Sequence, residues 1–246
     1  MGEITAVVSA KGGTGVTTVT AGIGSALARR GQKTLLLDLN FMKGDLPVLF
    51  GAEQRIAWHL LDVIEGSCRI IQALIPCRKD EMLYILPASL TRELRQIQRS
   101  SFVKLCEMLR ASFDCILIDT PSGICDGLLY ALSASDSAVL VTDSTLLSRR
   151  DTKRILTHPD FSSVHKCVLL NRFQKKLVRD GGMPSPEEIS TEIGEPLLGI
   201  IPESEEILSA EEQESVPEDG RSQAARCFDR ISGRFLGEEI PINLKR

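Results

Sequence analysis

Aromatic side chains are scarce in this chain, with one tryptophan, two tyrosines and eight phenylalanines in 246 residues. Its core must therefore be filled by aliphatic side chains. Long apolar runs are missing too: no stretch reaches the about 18 residues that a membrane-spanning helix requires. No C-x-x-C pair occurs among the seven cysteines, whose number is odd and several of which lie in apolar runs. That pattern suits reduced thiols packed as small hydrophobes in a cytosolic protein. His59, His158 and His165 are scattered and form no ligand pattern. Neither charge sign dominates at a net charge of −4, which disfavours a broad, sequence-blind nucleic-acid surface and leaves only local basic patches. With 43% hydrophobic and 25% charged residues, the composition excludes a disordered, collagen-like or coiled-coil chain.

What is present is a regular alternation. Short apolar runs without a polar/apolar rhythm fall at Ile4–Ser9, Lys33–Asp38, Leu83–Leu86, Cys115–Asp119, Ala138–Thr142, Cys167–Asn171 and Leu197–Ile201. Segments of helical spacing lie between them, at about Thr17–Arg30, Arg92–Leu109 and, last, Ser222–Leu236. Non-alternating strands separated by helices predict parallel strands covered on both faces, a doubly wound α/β fold with a mostly parallel sheet. We expect one domain over residues 1–246 with a short C-terminal tail at 237–246. The opening run Ile4–Val8 reads as a strand and not as a leader. The acidic stretch 203–219 reads as a solvated helix face, and Trp58 as packing on a helix.

The most informative segment is Ser9–Thr18, SAKGGTGVTT, which joins the first strand to the first helix. Gly12, Gly13 and Gly15 let the backbone turn sharply and aim successive N–H groups inward, and the helix N-terminus behind them adds positive potential. Such a concavity suits a polyphosphate. Thr17 stands where a hydroxyl reaches Mg²⁺. Asp38 and Asp119 end neighbouring strands at the carboxyl edge of the sheet, where α/β proteins bind ligands.

These residues resemble a known family. K-G-G-x-G-x-T-T after the first strand is similar to the deviant Walker A motif of the MinD/ParA ATPases. Asp119-Thr-Pro-Ser-Gly123 resembles the family's Walker B segment running into switch II, and further similar stretches are Leu83–Arg92, Arg149–Leu156, Leu169–Phe173 and Leu198–Glu203. The resemblance implies ATP and Mg²⁺ as cofactors. Lys11, Gly12, Gly13, Thr14, Gly15, Val16, Thr17 and Thr18 would cradle the phosphates, with Lys11 crossing a dimer interface to the partner's nucleotide. Thr17 and Asp119 would serve the metal, and Asn171, Arg172, Pro202 and Glu203 the base. Lys11, Asp38 and Asn40 would take part in hydrolysis.

Two departures stand out. Val16 occupies the place of a lysine that normally reaches the β- and γ-phosphates, and Asn40 that of an aspartate that helps position the attacking water. A charge-assisted hydrogen bond contributes on the order of 1.5–3 kcal/mol, so we expect weakened nucleotide binding and weak or absent hydrolysis. The segment Asp38–Gly51, together with Val16, is similar to the CpaE/TadZ group of pilus-positioning relatives. Division-site placement is thus the first expectation for function. Pilus positioning, or a scaffold of the same fold that needs no nucleotide, stays open beside it.

The resemblance also implies partners: an ATP-dependent homodimer, and a regulator, MinC- or MinE-like or from the pilus machinery, docking near the basic helix Arg149–Arg154. DNA is disfavoured, although Arg172, Lys175, Lys176 and Arg179 form a local basic run. Family members carry a basic amphipathic helix at the C-terminus. The short tail here predicts a cytoplasmic protein whose peripheral membrane association is weak or needs a partner.

Overall fold

The structure is a computed structural model that describes residues 2–77, 82–217 and 222–242. Tail residues 243–246, and Glu218 and Asp219 at the end of the acidic stretch, lie outside the described residues.

In chain order the first half runs β1 (Glu3–Val8), α1 (Val16–Arg29), β2 (Thr34–Asp38), α2 (Asp45–Val48), α3 (Leu60–Ile64), α4 (Ile70–Ala73), β3 (Ile75–Pro76), β4 (Leu83–Leu86), α5 (Arg99–Leu109) and β5 (Cys115–Asp119). The second half runs α6 (Asp126–Ala134), β6 (Ser137–Thr142), α7 (Leu146–Ile155), β7 (His165–Phe173), α8 (Lys175–Arg179), α9 (Pro186–Ile193), β8 (Leu197–Pro202), α10 (Glu205–Glu212) and α11 (Gln223–Phe235). The strands form one sheet in the order β3-β4-β2-β5-β1-β6-β7-β8. All pairings are parallel except that of the short edge strand β3 with β4.

Each central strand splits its side chains between two apolar layers, as the period of two requires. Ile4, Ala6 and Val8 of β1 face one layer and Val7 the other, and Leu36 and Leu117 oppose Leu35, Leu37, Ile116 and Ile118 in the same way. Helices α5 and α6 cover the first face, and α1 and α11 the second. Both faces are therefore dry, which is why these strands read as continuous apolar runs. Local signals set several helix ends. Ser185 caps α9 in a reciprocal box with Glu188, Pro186 follows at the first helical position, and left-handed Gly194 ends the helix.

Helix α1 packs closely on α11. A Cβ at Gly22 would lie 2.3 Å from the Phe228 ring, so glycine at this point is what allows the two helices to approach. The glycine-rich loop runs directly into the N-terminus of α1, so this contact backs the helix on which the loop is built.

The structure departs from the sequence reading in places. The segment read as one helix from Arg92 is a loop with a 3₁₀ turn at Leu94–Gln96, and α5 begins only at Arg99, behind extended Gln98. Trp58 precedes α3 and is 36% exposed, outside the buried layers. The tail folds back as far as it is described: the Arg234 guanidinium donates to the carbonyls of Ile240 and Pro241.

Candidate functional site

The chain enters at β1, in the middle of the sheet, with β5 on one side and β6 on the other. This is where strand order reverses, and a crevice opens above the carboxyl ends of the strands. The loop from Ser9 to Gly15 fills its floor. Gly13 and Gly15 have φ of 79° and 89°, the left-handed region that turns successive amides toward one point. Buried Thr14 ties the loop to its start by donating to the Ser9 hydroxyl at 2.8 Å. A cleft of about 550 Å³ lies above, lined by Lys11–Thr18, Asn40, Lys43, Asp45, Thr120–Ser122, Arg172 and Glu211.

Two carboxylates sit beneath the cleft. Asp38 and Asp119 are register partners on β2 and β5 and both are fully buried. Thr17 donates to Asp119 Oδ2 at 2.9 Å and Thr20 to Asp119 Oδ1 at 3.3 Å. The Asn40 backbone N–H donates to Asp38 Oδ1 at 2.7 Å, while Asp38 Oδ2 has no hydrogen-bond partner. Burial pushes Asp119 up to about 7, against the pull of the two threonine hydroxyls, and Asp45 adds to the rise. Asp38 is raised well above the ordinary carboxylate range, first by burial and then by the charge of Asp119. The orphaned oxygen and the two upward shifts both describe a pair short of positive charge. A divalent cation is the group whose chemistry fits that pair beside the Thr17 hydroxyl.

Neither Val16 nor Lys11 supplies a charge to this pair. Val16 opens α1, lines the cleft and is only 8% exposed, in the same apolar layer as Val7 and Val19. It presents an apolar side chain to the cleft at the head of the helix. The Lys11 side chain is 42% exposed, and its Nζ stands 3.9 Å from Asp143 Oδ2, at the limit of an ion pair.

A second cavity of about 140 Å³ adjoins the first and is lined by Asn171, Pro202, Glu203, Ser204, Ile207 and Leu208. Gly15, Thr18, Arg172 and Glu211 line both cavities and mark their junction. The structure thus brings the residues expected at the base together. It also gives Asn171 a further task, since its Nδ2 donates to the Thr14 carbonyl at 2.7 Å and braces the loop. Glu203 is exposed and accepts from Gln174 Nε2 at 2.8 Å.

The sequence reading missed two contributors. Thr20 follows the recognised motif and points at Asp119. Glu211 belongs to the stretch read as solvated, yet it accepts the Thr18 hydroxyl at 2.5 Å. Its spacing from Ile207, four residues earlier and packed on the core, is the signal that places it on the inward face of α10. The basic helix also differs from expectation. Arg149 is buried, donating to Glu192 at 2.8 Å and to the Ser144 carbonyl. Arg150, Lys153 and Arg154 remain exposed.

A glycine-rich strand–loop–helix cradle at the switch point of a doubly wound sheet defines a P-loop protein. A family profile described as "AAA domain" matches residues 2–166. The septum site-determining protein MinD of Helicobacter pylori is 35% identical over 98% of this chain and 92% of its own length. MinD in the MinC:MinD cell division complex of Aquifex aeolicus superposes with a TM-score of 0.89 at 32% identity, covering 98% of both chains. MinD of Pyrococcus horikoshii, solved in complex with Mg-ADP, gives a TM-score of 0.83 at 25% identity over 98% of this chain and all of that one. The chain belongs to the MinD/ParA family. Among the described residues no helix is long and apolar enough to cross a membrane.

Proposed function

We propose that this chain binds ATP and Mg²⁺ at its P-loop and acts as a nucleotide-dependent switch in division-site placement, with hydrolysis weak or absent. One observation carries the reading. The amide-lined loop and the Thr17–Asp119 pair are intact, while the side chain at the head of α1 is a buried valine. Backbone amides of Gly12–Thr18 would hold the phosphates, and Thr17 and Asp119 would face the metal, which supplies charge neutralisation and a template for the phosphate oxygens. Asn40 keeps hydrogen-bonding capacity beside Asp38 without adding charge, so a water held there is oriented less strongly. The relatives named for septum site determination, and the one solved with MinC, support division-site placement and a MinC-like partner.

The same reading includes an ATP-dependent homodimer. Lys11, half-exposed and at the limit of an ion pair with Asp143, would reach outward to the partner's nucleotide. Met42, Ile124, Leu146 and Leu147 are 56% to 88% exposed on loops and a helix start that follow β2, β5 and β6. Met42 lines the cleft, and the other three lie on segments leaving the same carboxyl edge of the sheet, the face that a second copy would cover. Docking of a regulator then falls to Arg150, Lys153 and Arg154, the exposed part of α7.

Titration calorimetry with ATP-Mg²⁺, with a single-turnover assay on labelled ATP, tests the proposal. Uptake with turnover far below that of a Val16→Lys/Asn40→Asp double variant is the expected result. A folded, monodisperse sample that takes up no ATP at millimolar concentration would overturn it.

A further inference from the structure

The two cavities of the site meet at Glu211. This residue lines both, and its carboxylate stands 2.5 Å from the Thr18 hydroxyl on the third residue of α1. Its position is built and not incidental. Ser204 caps α10 by accepting the Glu206 amide, and Ile207 packs into the apolar layer beneath α1 and α11. The Glu206 carboxylate ties α10 to the start of α11, accepting the Ser222 hydroxyl at 2.9 Å and the Ala224 amide at 3.2 Å. Glu211 lies one turn and a half beyond Glu206 on a helix held at both its start and its flank.

A ligand with a base in the smaller cavity and phosphates in the larger must pass its sugar across this junction. Two anions repel there, so a phosphate group gains nothing from Glu211. A ribose presents two neighbouring hydroxyls, and a carboxylate with two acceptor oxygens is matched to two such donors. We infer that Glu211 is the ribose-reading residue of this site, accepting the 2′- and 3′-hydroxyls and setting preference for ribonucleotides over deoxyribonucleotides. Thr18 holds the carboxylate at the junction until the sugar arrives. The inference rests on nucleotide binding as proposed above and adds the sugar class to it.

The test compares equilibrium binding of ATP, 2′-deoxy-ATP and inorganic tripolyphosphate, each with Mg²⁺, to the native chain, Glu211→Gln and Glu211→Ala. A hydrogen bond to a charged acceptor corresponds to about a tenfold difference or more in affinity. We expect the native chain to favour ATP over 2′-deoxy-ATP by about that factor. Glu211→Ala is expected to bring the two nucleotides level, and Glu211→Gln to keep part of the preference. The ratio is the decisive readout, because loosening of α10 weakens both nucleotides alike. It is measured on the native chain as well, so it survives a variant that does not fold. Equal affinities for the native chain overturn the inference while leaving the proposed function standing. Tighter binding of all three probes by Glu211→Ala overturns it too, and makes Glu211 an anion competing for the phosphate place. If neither nucleotide binds the native chain, both the inference and the proposed function fall.

Discussion

Asp38 and Asp119 face each other across the β2–β5 ladder at its carboxyl end, both out of contact with water and, among the described residues, both without an ion-pair partner. Two buried carboxylates side by side disfavour full ionisation. Asp119 is held up to about 7 and Asp38 is raised with it. In the unfolded chain both return to the ordinary value of 3.8. Between that value and neutrality the native state therefore holds a proton that the unfolded state has released. The sign follows: stability falls as pH rises across this window, by about 1.4 kcal/mol per pH unit for one such proton. We expect denaturant midpoints of the nucleotide-free chain to drop from pH 5 to pH 7.5. Asp119→Asn should flatten the profile, and millimolar Mg²⁺ should raise stability more at pH 7.5 than at pH 5.5.

Placing a cation at position 16 gives the second prediction. A lysine at position 16 would start from a backbone already at the cleft and extend over the buried pair. Val16→Lys should raise affinity for ATP-Mg²⁺ by about tenfold or more, the counterpart of one charge-assisted bond. It should also shrink the pH dependence just described, because the new ammonium stabilises ionised Asp119. Adding Asn40→Asp should affect turnover more than binding. Calorimetry and single-turnover rates separate the two contributions.

The loop itself gives a third prediction. Gly13 and Gly15 are both left-handed, but their surroundings differ. A Cβ at Gly13 meets nothing within 4 Å, whereas one at Gly15 falls 2.5 Å from Asn171 Nδ2. Gly13→Ala should therefore carry the conformational cost alone, about 1–2 kcal/mol. Gly15→Ala should cost more, because it also displaces the amide that braces the Thr14 carbonyl. Thermal unfolding ranks them, and the ranking should be echoed in ATP affinity.

Much of this arrangement was legible in the sequence, for a physical reason. Strands buried on both faces need apolar residues at every position, so TLLLD and CILID announce a covered parallel sheet without any pairing information. A phosphate loop needs glycines at fixed spacing behind a strand, so its position is equally open to reading. What was not legible depends on long-range contact. Glu211 meets Thr18 across 193 residues, and Arg149 meets Glu192 across 43. Both are charged residues on helices of polar composition, where local pattern favours exposure. Only the folding of α10 over the loop, and of α9 beside α7, turns them inward.

Arg149 supplies the fourth prediction. Its guanidinium is buried against Glu192 and the Ser144 carbonyl, so its removal leaves those groups without their donor. Arg149→Ala should destabilise the chain by about 1–3 kcal/mol. Arg150→Ala and Lys153→Ala, on the exposed side of the same helix, should stay within about 0.5 kcal/mol of native stability. If α7 docks a regulator, the latter pair should weaken that binding in folded protein. A stable Arg149→Ala variant would refute the structural role given to this arginine.

The fifth prediction concerns how α11 supports the loop from behind. Phe228 is fully buried, and its ring occupies the space left by the missing side chain of Gly22. Phe228→Ala opens a cavity under α1 and should cost about 3–5 kcal/mol. Gly22→Ala fails for the opposite reason, since a methyl group 2.3 Å from the ring forces the helices apart. Each change alone is a loss, but they are complementary in shape. The added methyl enters space vacated by the ring, so the double variant should be more stable than the sum of the single losses allows. Denaturant unfolding of the four proteins measures the coupling. Strict additivity would mean that the helices are not held by this contact, and that the position of the P-loop is set by the sheet alone.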